Sequence, residues 1–127
     1  MSRVLVAITV FALVASVFPV PALAAVTSQS WTIRSSSNES NQWLGMAWSP
    51  ELNLFVATGA GSTNRVMTSP DGITWTARTP SSDTNQWQSV VWASSLGLFV
   101  AVSNGGVNSV MTSPDGITWT GHASADD

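Results

Sequence analysis

The chain has 127 residues, four Lys and Arg against seven Asp and Glu, and a formal net charge of −3. So few cations leave no electrostatic footprint for nucleic acid or an anionic membrane surface. With no cysteine and one histidine it has neither a disulfide framework nor a zinc site of the usual type, so its seven tryptophans are the main packing resource.

The first predicted element is a leader. Arg3 precedes an apolar run from Val4 to Phe18, Pro19 and Pro21 end it, and Ala22-Leu23-Ala24 has a small-x-small cleavage pattern. The run falls short of the roughly 20 residues that span a bilayer. A signal peptide over 1–24 is therefore expected, with an uncleaved anchor as the alternative. The mature part, 25–127, is then one small domain, secreted or periplasmic, without an integral membrane span.

Next comes a short strand over 30–34 (S-W-T-I-R). Four more follow at about 43–49, 53–59, 64–69 and 73–78, where Val, Thr, Phe and Trp alternate between turn residues. The set returns at 87–93, 97–103, 108–113 and 117–121. The period is 44: Trp31, Trp75 and Trp119 are so spaced, as are Trp43 with Trp87 and Trp48 with Trp92, and 31–74 matches 75–118 at 24 positions without a gap. Four antiparallel strands in meander order make a propeller blade. The expected fold is all-β: two 44-residue repeats, with blades at about 43–78 and 87–121, plus one extra strand. Propellers close with about four to eight blades. Two blades thus imply a partial propeller, completed by self-association through blade faces, or a fragment of a longer repeat protein.

Between the third and fourth strands, Ser69-Pro70-Asp71-Gly72-Ile73-Thr74-Trp75 recurs unchanged as Ser113-Pro114-Asp115-Gly116-Ile117-Thr118-Trp119. Proline presets φ, aspartate bonds its own turn, and glycine tolerates positive φ. The segment resembles the Asp-box of BNR-type, sialidase-like propellers, although Gly follows Asp one residue earlier than in that family. The resemblance extends over 31–120 and implies a structural role for Ser69, Asp71, Gly72 and Trp75 and for Ser113, Asp115, Gly116 and Trp119. Sialidase chemistry in the family needs an arginine cluster and a tyrosine nucleophile. This chain has no Tyr, and Arg34, Arg65 and Arg78 fall on different predicted strands. No enzymatic activity, cofactor or metal is expected.

The remaining candidates are few. Glu39, Glu51 and Asp83 sit in predicted loops, which does not suit a glycosidase pair. His122 stands beside Asp126 and Asp127 in an expected loose terminus, a poor setting for a Ser-His-Asp arrangement. Trp31, Trp75 and Trp119 are expected to support turns, and Trp48 and Trp92 to fill the space between blades. The linkers 35–42 and 79–86 share one rim with the loops 60–63 and 104–107. That rim gathers Asn41, Gln42, Trp43 and Asn64 with their counterparts Asn85, Gln86, Trp87 and Asn108. Amides beside an indole suit a sugar, although a recent duplication would preserve the same residues without any ligand. The leading expectation is a non-catalytic binding module for carbohydrate or cell-surface ligands. A structural fragment of a longer propeller, of scaffold or assembly-factor type, is the second, and a glycosidase the third.

Overall fold

Alternating side chains and two kinds of turn build the described part of the molecule. A computed structural model describes residues 30–123 and 125; the leader with its cleavage site, and Asp126 and Asp127, lie outside the described residues. Eight strands lie within the compact unit Thr32–Asp127: β1 (Gln42–Ser49), β2 (Leu54–Ala60), β3 (Val66–Ser69), β4 (Thr76–Arg78), β5 (Trp87–Ala93), β6 (Leu98–Ser103), β7 (Val110–Ser113) and β8 (Thr120–His122). They form two four-stranded antiparallel sheets, ordered β1-β2-β3-β4 and β5-β6-β7-β8. The described residues contain no helix.

The two sheets share one register. Trp48 opposes Phe55 as Trp92 opposes Phe99, and Val56 opposes Thr68 as Val100 opposes Thr112. Each first strand is irregular at the same place, between Trp43 and Gly45 and between Trp87 and Ser89. The β1–β2 and β5–β6 turns put Asn53 (φ 49°) and Gly97 (φ 64°) at equivalent left-handed positions, where Asn and Gly are the residues best tolerated.

Two expectations need correction. The fourth strands begin later than 73 and 117, because the turn aspartates hold Ile73, Thr74, Ile117 and Thr118 in the turn. Residues 30–34 form no strand, and Trp31 and Ile33 are 96% and 97% exposed. A strand of this type depends on hydrogen bonds from a preceding third strand, and no such strand exists among the described residues. Trp31 therefore supports no turn.

Residues opposite one another across an antiparallel pair share a face, so each sheet has two distinct faces. The inner face of the first sheet carries Ala47, Leu54, Val56, Thr58 and Val66. It packs on the face of the second sheet that carries Val90, Trp92, Phe99, Ala101 and Met111. Trp87 and Trp119 complete this core. Two polar ties cross it: Trp92 Nε1 donates to Glu51 Oε2 (2.7 Å), and Arg65 Nη1 to the Asn85 carbonyl (2.6 Å). Gly45 lets the first strands approach, since a Cβ there would lie 2.9 Å from Ser89 Cα.

Thr58 is the weak point of this interface. It is fully buried, and its Oγ1 has no hydrogen-bond partner. A buried hydroxyl without a partner costs about 1–3 kcal/mol, and the second sheet has Val102 at the same register position. Thr58→Val should therefore raise stability by about 1 kcal/mol, seen as a higher urea midpoint at unchanged slope. A lower midpoint would mean that the hydroxyl is satisfied in solution.

Candidate functional site

The two Ser-Pro-Asp-Gly turns are closed by their own side chains. Ser69 Oγ accepts from the amides of Asp71 (3.3 Å) and Gly72 (2.8 Å) and donates to Asp71 Oδ1 (2.9 Å). The same Oδ1 accepts from the amides of Ile73 (2.8 Å) and Thr74 (2.9 Å). Ser113 and Asp115 repeat every bond with distances of 2.8 to 3.3 Å. Trp119 Nε1 then donates to the Gly116 carbonyl (3.2 Å) and fastens the second turn to the core. Asp71 and Asp115 thus act on their own backbone.

These bonds set the acidity of both carboxyls. The Thr74 and Ile73 amides, then the Ser69 hydroxyl, hold Asp71 below the ordinary carboxylate value of 3.8. At Asp115 burial is the largest influence and pushes upward, but the donors from Thr118, Ile117 and Ser113 together outweigh it, and the net direction is again down. A carboxyl depressed in the folded state adds stability that is full above its unfolded value and is lost as pH falls through the folded one. The thermal midpoint should hold until about pH 4 and fall below it. The fall should be shallower in the Asp71→Asn/Asp115→Asn double variant. Parallel profiles for the two proteins would show that these carboxyls carry no linkage.

The other acids are engaged in the same manner. Glu39 Oε1 accepts from the Ser36 amide and hydroxyl, Glu51 Oε2 from Ser49 Oγ and Trp92 Nε1, and Asp83 Oδ1 from the Asn64 amide. His122 is the last residue of β8 rather than part of a loose end, and its Nε2 lies 2.8 Å from Thr112 Oγ1.

The linkers and the β2–β3 and β6–β7 loops do meet on one rim, joined by the amides read as ligand candidates. Asn41 Nδ2 donates to the carbonyls of Thr63 and Asn64 (both 3.1 Å), and Asn85 Nδ2 to those of Val107 (3.1 Å) and Asn108 (3.2 Å). Both amides are buried, so their donors are spent on the loops and unavailable to a ligand. Asn64 and Asn108 occupy left-handed backbone positions, with φ of 55° and 56°. Trp87 is fully buried, and its Nε1 donates to the Ser82 carbonyl (3.1 Å). For Asn41, Asn85 and Trp87 the expectation of a ligand-facing side chain is thus corrected: each is closed into the loops or the core. Gln42 and Gln86 remain exposed, and Trp43 is half-buried.

Trp43 borders a feature that the sequence reading missed. With Leu44, Gly45, Met46, Ala57 and Met67 it lines an apolar hollow of about 270 Å³ on the outer face of the first sheet. Its Nε1 is enclosed without a hydrogen-bond partner. The available signal lay in the repeat, because Met46, Ala57 and Met67 stand one period before the core residues Val90, Ala101 and Met111. Comparison with protein-family models, characterised proteins and solved structures finds no match.

Proposed function

We propose that this chain is an exported, non-catalytic binding module of propeller type, taking carbohydrate or cell-surface ligands beside Trp43. The observation that carries the non-catalytic part is the use of the acids: Glu39, Glu51, Asp71, Asp83 and Asp115 all accept bonds that hold turns, linkers or the sheet interface. The ligand part is supported by Trp43, whose indole borders an open apolar hollow with exposed Gln42 next to it in the chain.

A glycan array and a panel of aryl glycosides test both parts. Retention of a defined glycan is expected, lost in Trp43→Ala with the β-sheet circular dichroism unchanged, and no glycoside should be turned over. Turnover abolished by Asp115→Asn in a folded protein would end the non-catalytic reading. Glycan binding that survives Trp43→Ala would end the assignment of the ligand to this place.

The scaffold reading has its own support. Each sheet leaves one apolar face open, with Met46 63% exposed on the first and Val91 55% exposed on the second.

A further inference from the structure

The interface inside the molecule joins two different surfaces, and each sheet carries both kinds. The first sheet uses its Ala47, Leu54, Val56, Thr58 and Val66 face; its other face holds Met46 and Trp48, 63% and 38% exposed, half-buried Phe55, and Ala57 and Met67, which are already buried. The second sheet does the reverse. It buries Val90, Trp92, Phe99, Ala101 and Met111 and leaves Val91, Leu98, Val100, Val102 and Val110 outward. One unused surface of each kind therefore remains on every molecule.

We infer that these two surfaces bind each other between copies of the chain, head to tail, repeating the contact already present within each molecule. The inference rests on the scaffold reading and names its partner: a second copy would cover the hollow lined by Met46, Ala57 and Met67, so it competes with a ligand beside Trp43 for that face. The residue match is close. Trp48, Phe55, Ala57 and Met67 have the identity of their buried counterparts, as do Leu98, Val100 and Val110 on the other surface. The replacements keep or extend the apolar character: Met46 for Val90, Val91 for Ala47, and Val102 for Thr58. Met46 is 63% exposed where Val90 is 5%, and Val102 is 44% exposed where Thr58 is 0%. Soluble monomers seldom leave contiguous apolar patches beyond a few hundred Å². Burying these faces continues an interface whose geometry the chain already realises.

Three substitutions make the contact between copies looser than the one within. Ser95 replaces Glu51, which accepts from Trp92, and Ser109 replaces Arg65, which bonds the Asn85 carbonyl. Ser89 replaces Gly45, where a Cβ would come within 2.9 Å of the facing backbone. The copies must stand further apart at their first strands, and association should be reversible. A heterologous contact of this kind forms a ring when its rotation closes and an open chain when it does not.

Sedimentation velocity on the wild type, Met46→Asp, Val91→Asp and a one-to-one mixture of the variants tests the inference. Both side chains are more than half exposed in the single molecule, so each substitution disables one outer surface without entering the core. Circular dichroism and amide exchange check the fold, and lysine at the same positions is the substitute should aspartate disturb it. The wild type should form species larger than a dimer that grow with concentration, and each variant alone should be monomeric. Their mixture should give a one-to-one dimer and stop there, through the two surfaces left intact. A wild type that stays monomeric, with exchange-protected β2 and β3, would overturn the association while leaving the blade reading in place. Self-association of either variant alone would also overturn it, since that requires like faces to pair. Unprotected β2 and β3 amides would sink the blade reading itself.

Discussion

Replacing Trp87 with alanine should cost about 3–5 kcal/mol, and the same change at Trp43, one repeat earlier, distinctly less. The two indoles have the same strand position and the same neighbours in sequence. Trp87 is fully buried, belongs to the core that joins the sheets, and bonds the Ser82 carbonyl. Its truncation removes a large apolar surface, leaves a cavity, and deprives that carbonyl of its donor. Trp43 is half-buried at an open hollow, and its enclosed Nε1 has no partner to lose. Domains of this size have only about 5–15 kcal/mol in total, so Trp87→Ala should lie close to unfolding at room temperature. Urea denaturation in the Val91→Asp background, which keeps the molecules apart, gives both values. Equal costs would contradict the packing of one sheet on the other.

The second large effect is expected at Gly116. Both turn glycines are left-handed, Gly72 at φ 69° and Gly116 at φ 72°. An alanine pays about 1–2 kcal/mol for that conformation. At Gly72 little else would follow, since its new methyl would meet only Phe55 Cε2, at 3.8 Å. At Gly116 the methyl would lie 2.9 Å from both Leu54 Cδ2 and Val56 Cγ2 of the facing sheet. Overpacking of that kind adds about 1–3 kcal/mol. Gly116→Ala should thus cost about 2–5 kcal/mol and Gly72→Ala about 1–2, the sum and the first part of the same two effects. Matched thermal melts would separate them, and equal shifts would show that Gly116 does not face the other sheet. In the proposed assembly Gly72 would press on Leu98 and Val100 of the next copy. Gly72→Ala should therefore weaken association more than it weakens the monomer.

The period of 44, the order of the strands and the chemistry of the two turns were legible in the residues themselves. Alternation specifies a strand locally, and Ser69-Pro70-Asp71-Gly72 needs only its own side chains and backbone to close, as the bonds at Ser69 and Asp71 show. The meeting of the linkers with the β2–β3 and β6–β7 loops on one rim also followed from counting strands. The uses of the rim residues did not. Asn41 and Asn85 looked like ligand amides because nothing local reveals that their partners are carbonyls more than 20 residues away. Residues 30–34 read as a strand because alternation is local, whereas pairing requires a neighbour.

Tertiary structure decided above all where the two members of a matched pair differ in burial. Phe55 and Phe99, Trp43 and Trp87, Gly72 and Gly116 are the same residues in matching contexts, so a sequence with an internal period gives both members one environment. Packing breaks that equivalence because each sheet has two unlike faces and the contact between sheets has a direction. The first sheet offers one face and the second answers with the other, so Phe99, Trp87 and Gly116 are buried while Phe55, Trp43 and Gly72 are only partly so.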